Sequence, residues 1–333
     1  MILQPTPLLS VKDLSVHFKG TGKLVGSQPV KAVDGISFNV YQGETLGIAG
    51  ESGSGKSTLA RALIGINKPT SGKILVRGHE IVDFSNSALR PIRKKIQMVF
   101  QDPYDSLDPL FTISQSIAEG LQVRDLPRSE IPTEVLRLLE TVKLPGSLAT
   151  RYPKELSGGQ RQRVAIARAL ATNPDLIICD EAVAALDVSV RAQILNLLQD
   201  IQEQASISFI FISHDLSTLR YISKSVAIMY AGKIIEYGDS DAVLTHPQHP
   251  YTRALVSAVP NIAGNNGDKI KSIGEPPDLA NVPSGCAFNP RCRESVAQCL
   301  IQTPQLLPTA QGPKVACHLI QPIESLQLSL GGE

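Results

Sequence analysis

No stretch of this 333-residue chain approaches the roughly 18 consecutive apolar residues that a membrane-crossing helix requires. Its most apolar segments, such as residues 207–212, have only the length of strands. Residues 1–10 lack both a basic head and an apolar run, so no secretory signal is expected and a cytosolic location is. An excess of one charge is also missing: Lys plus Arg number 32 against 31 Asp plus Glu. That balance excludes a broad positive field for a nucleic-acid backbone or an anionic membrane, so any membrane contact is expected to run through another protein. No repeat of solenoid length is present. Tryptophan is absent, which carries no functional information. Cysteine is scarce and uneven: Cys179 lies in an apolar strand-like run, whereas Cys286, Cys292, Cys299 and Cys317 crowd the end of the chain. In a reducing cytosol such a group suggests a metal or cluster site before disulfides.

What is present is a globular composition, 42% hydrophobic, on a chain long enough for one large domain or two ordinary ones. Residues 50–57 read Gly-Glu-Ser-Gly-Ser-Gly-Lys-Ser and fit G-x-x-x-x-G-K-[ST]. In such a loop the backbone N–H groups of Gly50, Ser52, Gly53, Ser54, Gly55 and the following residues wrap phosphate oxygens. Lys56 reaches the β and γ phosphates, and Ser57, followed by Thr58, reaches Mg²⁺. The setting supports the motif: residues 44–49 read as a buried strand and 57–66 as a helix opening at the loop, whose amides and dipole favour an anion.

Residues 8–18 and 32–40 partly alternate apolar and polar, with a Gly/Ser/Pro-containing stretch between them, which predicts an antiparallel pair joined by a surface loop. Between residues 101 and 151 the period becomes helical, over 113–121 and 134–142, and predicts a separate helical lobe. A helix over 158–170, strands at 176–179 and 208–212 and a helix over about 190–204 follow. Alternating strands and helices imply a mostly parallel, helix-covered sheet. After residue 237 prolines punctuate the chain, and residues 261–268 read as a linker.

Residues 156–160 read Leu-Ser-Gly-Gly-Gln, the signature of ATP-binding subunits of ABC transporters, and with it the chain resembles that family over about residues 8–260. Further family elements stand in order: Phe18, Gln101 in Val-Phe-Gln-Asp-Pro, Leu-Ile-Ile-Cys-Asp-Glu over 176–181, Ala-Leu-Asp over 185–187, and His214 in Ile-Ser-His-Asp. The resemblance implies an α/β P-loop NTPase (RecA-like) with a mostly parallel sheet, an antiparallel β subdomain, an inserted helical subdomain and a C-terminal Cys-containing extension. It implies Phe18 as the adenine platform, Asp180 with Ser57 and Gln101 at Mg²⁺, Glu181 orienting or deprotonating the attacking water, and His214 at the γ phosphate. Ser157, Gly158, Gly159 and Gln160 would complete the ATP site of a second subunit, head to tail, with Asp187 at that interface. Ala184 stands where the family more often has Ser.

Several strings resemble the oligopeptide/dipeptide importer branch: Gln-Asp-Pro-Tyr-Asp-Ser-Leu-Asp-Pro (101–109), His-Pro-Tyr-Thr-Arg-Ala-Leu (249–255) and Pro-Ser-Gly-Cys-Ala-Phe-Asn-Pro-Arg-Cys (283–292). That branch also moves nickel chelates. The implied domains are an ATPase over 1–245, with its helical subdomain at about 102–160, and an extension over 246–333. The implied partners are two transmembrane permease subunits, a second ATPase of the same or a related chain, and, indirectly, an extracytoplasmic solute-binding protein, with no nucleic acid. The implied place is the cytoplasmic face of the membrane. The tail cysteines space as C-x5-C-x6-C-x17-C, unlike the short pairs of structural zinc. Four thiolates can hold a [4Fe–4S] cluster, as the branch does; zinc held by the four thiolates or with His318 substituting for one, and free thiols, stay open. An exporter ATPase and a soluble ABC ATPase working on nucleic acid or ribosomes are the competing readings. Repair members carry a long coiled coil for which residues 57–155 leave no room, and translation-factor members carry two motif sets where this chain has one.

Overall fold

The computed structural model describes residues 6–19, 29–81, 85–101, 106–124, 126–259, 274–275 and 277–323. Its strands are β1 (Leu9–Phe18), β2 (Val30–Val40), β3 (Thr45–Ala49), β4 (Ser71–Val76), β5 (His79–Glu80), β6 (Ile96–Val99), β7 (Leu176–Asp180), β8 (Ser208–Ile212), β9 (Ser225–Tyr230), β10 (Lys233–Asp239), β11 (Leu307–Pro308) and β12 (Lys314–Val315). Two compact units result. Residues 1–8, 40–44 and 76–212 form one, and residues 9–39, 45–75 and 213–333 the other. These units follow contacts in space, and the described residues beyond 245 fall in the one that holds the phosphate loop. The expected linker over 261–268 lies outside the described residues.

In the first unit β6, β7 and β8 run parallel, with Ile96 beside Leu176 and Leu176 beside Ser208. Every residue of β7 and β8 is buried, as near-continuous apolar runs in a parallel sheet require. The helical lobe is present as Ile113–Leu121 and Ile131–Thr141, packed with Gly158–Leu170. Its apolar stripes meet through Ile113, Ile117, Leu121, Val135, Leu138 and Leu139, all buried. The first of these helices opens with a capping box: Thr112 Oγ1 accepts from the Gln115 N–H, and the Gln115 side chain accepts from the Thr112 N–H. The helix Val188–Ala205 extends the expected span slightly at both ends.

In the second unit β2, β1 and β4 lie side by side in that order. β3 pairs with β9 in parallel, Leu46 beside Ser225, while β9–β10, β10–β12 and β12–β11 are all antiparallel. The sheet is thus parallel where the sequence alternates strand and helix, and antiparallel where the tail lays two short strands along the β10 edge. That edge is covered, not left open to other chains. The tail also contributes to the core: Phe288, 3% exposed, has its ring centroid 5.3 Å from Tyr230 and 5.5 Å from Tyr251. Burying a phenylalanine is worth about 2 kcal/mol, so the extension is held by shared packing despite its lack of apolar periodicity. Among the described residues, no helix is long and apolar enough to cross a membrane.

Candidate nucleotide site

The phosphate loop belongs to the second unit and links β3 to the helix Lys56–Leu63. Two of its glycines are required by close contact. A β-carbon on Gly50 (φ 152°) would lie 2.2 Å from the Met229 carbonyl oxygen, and one on Gly55 (φ 103°) would lie 2.0 Å from that of Ala32. Strands β9 and β2 therefore press on the loop at both ends, where only glycine fits. Gly53 is open to solvent and glycine there serves conformation alone, at φ 79°. Lys56 is buried, and its Nζ donates to the carbonyl oxygens of Gly50 and Glu51, both at 2.8 Å, and to Ser54 Oγ at 3.4 Å. The loop is thus wound around the ammonium group. The Ser54 carbonyl accepts from the Gly232 N–H at 3.0 Å, while Ser52 and Ser57 are exposed and Thr58 is half-buried. Gly55 caps the helix in a left-handed conformation without a side-chain acceptor, and the first turn holds no acidic residue. Its first N–H groups are thereby suited to an anion.

Phe18 and His214 share this unit. Phe18 ends β1 and is 42% exposed, a face suited to stacking on a planar ring. His214 is exposed between two fixed residues: the Ser213 N–H donates to the Ile48 carbonyl at 3.1 Å, and Asp215 caps the helix Leu216–Ile222 through the Ser217 and Thr218 N–H groups.

In the first unit, Asp180 closes the buried strand β7 and is itself 6% exposed. Glu181 follows in the left-handed region, φ 50°, with its N–H donating to the Ile212 carbonyl at 3.0 Å. A non-glycine residue in that region is strained, and such strain gathers at functional positions. Gln101 is exposed just beyond β6; residues 102–105 of the segment expected to sense a membrane partner lie outside the described residues. The signature opens the helix Gly158–Leu170. Ser157 Oγ accepts from the Gln160 N–H at 3.3 Å, and Gln160 Oε1 accepts from the Ser157 N–H at 2.9 Å. Both side chains are thus engaged in capping. Asp187 caps the helix Val188–Ala205, accepting from the Val190 N–H at 2.9 Å and the Ser189 hydroxyl at 2.7 Å. These donors, Val190 first, hold its carboxyl below the usual carboxylate range.

The sequence reading missed what surrounds Glu51. Its N–H donates to Tyr251 Oη at 2.9 Å, and its carboxylate is held by both terminal nitrogens of Arg291. Both partners lie in the quoted strings of residues 249–255 and 283–292, but a pairing across 240 positions leaves no local signal.

Burial pushes the Cys286 thiol up to about 11, with Cys299, Cys317 and Cys292 adding to the rise. The Cys286 N–H donates to the Cys299 carbonyl at 2.8 Å. Among the described residues, however, no three His, Cys, Asp or Glu side chains stand as a metal-holding group. Cys286, Cys292, Cys299 and Cys317 therefore do not form such a group among the described residues. Cys179 is fully buried in β7, where burial first, then the Asp180 charge, pushes its thiol up to about 12.

A family model described as ABC transporter matches residues 33–184, and one described as Oligopeptide/dipeptide transporter, C-terminal region, matches residues 235–299. The chain is 47% identical over 330 residues to a probable peptide ABC transporter ATP-binding protein of Sinorhizobium fredii, covering 97% of this chain and 92% of that one. It is 45% identical over 324 residues to a dipeptide transport ATP-binding protein of Haemophilus influenzae, covering 96% and 98%. Among solved structures, cbiO1 of Clostridium perfringens, part of the ABC transporter complex cbiONQ, matches with a TM-score of 0.64 at 32% identity, over 72% of this chain and 91% of that one. The ATP-binding cassette MJ0796, dimeric and bound to ADP and Pi, matches with a TM-score of 0.62 at 29% identity, over 70% and 98%. Motif order, fold and near-full-length identity agree: the chain belongs to the ATP-hydrolysing subunits of ABC transporters, in their oligopeptide/dipeptide import branch.

Proposed function

We propose that this chain energises import of oligopeptides, dipeptides or similar small solutes from the cytoplasmic face of the membrane. It docks on two transmembrane permease subunits beside a second ATPase, the same chain or a related one, and cargo arrives from an extracytoplasmic binding protein. The observation that carries this reading is that identity to peptide-transport proteins runs through the tail as well as the ATPase motifs. Residues 1–245 serve as the ATPase domain, with a helical subdomain at about 102–160, and 246–333 as the extension.

In this reading Lys56 and the loop amides hold the phosphates, and Phe18 stacks on adenine. The hydroxyl of Ser57, the carboxylate of Asp180 and the amide of Gln101 are oxygen donors of the kind Mg²⁺ prefers; the ion supplies charge neutralisation at the phosphates. Glu181 orients the attacking water, His214 contacts the γ phosphate, and Ser157, Gly158, Gly159, Gln160 and Asp187 serve the partner's nucleotide. ATP closes the two ATPases together and hydrolysis reopens them.

Co-purification from gently solubilised membranes tests the assignment: two multispanning permeases support it, and ribosomes or DNA in their place contradict it. Glu181→Gln tests the chemistry, with an ATP-bound dimer accumulating and turnover lost; unchanged steady-state turnover removes Glu181 from its role.

Cys286, Cys292, Cys299 and Cys317 supply four thiols, the usual donor set of the [4Fe–4S] cluster that we propose braces the extension. That no metal-holding group of His, Cys, Asp or Glu stands among the described residues tells against it. Iron and acid-labile sulfide in anaerobically purified protein decide the matter, and absence of both eliminates the cluster.

A further inference from the structure

We propose that Arg291, in the C-terminal extension, is a positioning residue for ATP: it neutralises and orients Glu51, the second residue of the phosphate loop, so that the extension sets how readily the loop accepts a triphosphate. The proposal rests on residues 50–57 being the nucleotide loop. Arg291 is 6% exposed. Its Nη1 lies 2.7 Å from Glu51 Oε2 and its Nη2 3.0 Å from Oε1, the paired geometry that makes arginine–carboxylate bonds strong and directional. The guanidinium is itself held: Nη1 lies 3.3 Å from Tyr230 Oη, and its centre lies 5.7 Å from the Tyr230 ring and 5.8 Å from the Phe288 ring.

Glu51 links this fork to the loop's working parts. Its carbonyl receives Lys56 Nζ at 2.8 Å and the Ser54 N–H at 3.2 Å, and its own N–H is fixed by Tyr251 Oη. Tyr251 is 1% exposed and rigid among Tyr230 and Phe288. The helix Pro250–Ser257, through Tyr251, and the segment after Cys286, through Arg291, thus grip one loop residue by backbone and side chain at once, and Tyr230 of β9 holds Arg291 in turn.

The charge argument makes the grip more than a staple. A carboxylate in a loop built for polyphosphate repels its ligand, and repulsion between like charges grows as the site excludes water. Paired with Arg291, Glu51 contributes little net charge. Unpaired, it opposes the triphosphate.

Titration of the full-length chain with ATP, together with steady-state KM and kcat, tests this. Arg291→Met should raise the Kd and KM for ATP roughly tenfold or more, with kcat moving less. Adding Glu51→Gln to Arg291→Met should return both toward the wild-type values, because the offending charge is gone. Glu51→Gln alone, which leaves the Arg291 charge unopposed beside the loop, should bind ATP more tightly than wild type. A staple without the electrostatic role predicts otherwise: all three variants would melt lower, and the double variant would bind no better than Arg291→Met, an outcome that overturns the proposal. Should Arg291→Met fail to fold, Arg291→Lys, which keeps the charge and loses the fork, should give a smaller rise, and Glu51→Gln then decides alone, weaker ATP binding at an unchanged melting temperature refuting the proposal. Lys56→Ala separates the two levels: if it leaves ATP binding intact the loop assignment fails, and if it abolishes binding while Arg291→Met changes nothing, only the role of Arg291 fails.

Discussion

A β-carbon on Gly159 would stand 2.5 Å from Cγ1 of Val190, whereas one on Gly158 would meet only Leu186 Cδ2 at 3.6 Å. The two glycines of the signature therefore answer to different demands. Gly159 is set by the packing of the helix Gly158–Leu170 against Val188–Ala205, and Gly158 has room for a methyl group.

Alanine at each position separates packing from ligand approach. Gly159→Ala overpacks the contact and should cost about 1–3 kcal/mol, with Val190→Ala restoring part of the loss in the double variant. Gly158→Ala should melt near wild type, so any fall in its ATPase rate reports on the ligand side of the signature. Thermal melting beside ATPase assays checks both. A stable Gly159→Ala would show that Val190 yields freely.

Glu181 holds its left-handed backbone at a cost of about 1–2 kcal/mol for an ordinary L-residue. Glycine occupies that region without penalty, though it raises the entropy of the unfolded chain. Glu181→Gly should consequently melt no lower than wild type while losing steady-state turnover. A clear drop in melting temperature would mean that side-chain contacts of Glu181 outweigh the strain.

Much of this was legible because the signals are local. The apolar run 176–179 gives β7, and Ser157 with Gln160 three residues later gives the start of the helix Gly158–Leu170 to the residue. The helix Asn86–Lys95 was not read, since Pro91 inside it is a helix-breaking signal that the Ser85 cap and tertiary packing override. β11 and β12 are two residues each and exist only by pairing on the β10 edge. The motif resemblance places Asp187 at an interface, whereas its capping of Val188–Ala205 is a local hydrogen bond to the Val190 N–H. The Arg291–Glu51 pair has no local signature: each residue lies in a recognisable string, but nothing in either string points to a partner 240 positions away.

Cys179 sits in β7 beside Val99 and Phe211 in neighbouring strands, and its thiol is pushed up to about 12. It is a small buried hydrophobe and should resist alkylation at neutral pH until the protein unfolds. Cys179→Ser places a hydroxyl there, where an unmet hydrogen bond costs about 1–3 kcal/mol. Cys179→Ala should be the milder change. Mass-resolved labelling in native and denaturing buffer checks the first expectation, and melting of the two variants the second.

His249 gives the fold a defined acid sensitivity. It is 1% exposed; its Nδ1 accepts from the Tyr251 N–H at 3.0 Å, and the ring's bond to the Ala316 backbone favours protonation. Burial first, with the Arg253 charge adding, pushes its pKa from 6.5 down to about 3. Between those values the unfolded chain binds a proton that the fold refuses, so stability falls as pH falls below about 6.5, by up to about 1.4 kcal/mol per unit. Glu236, fully buried and bonded to the Gln248 and His249 N–H groups, works the other way: burial raises its pKa above 4.5, so the fold binds its proton first and stability there rises as pH falls. The two contributions have opposite signs, so the histidine part is read from the difference between the wild type and a variant that lacks the imidazole. His249→Asn keeps an N-cap acceptor and removes the titration. Denaturant unfolding at pH 7 and 5.5 should show the wild type losing up to about 1.3 kcal/mol more than His249→Asn; equal losses in both would place the acid sensitivity elsewhere.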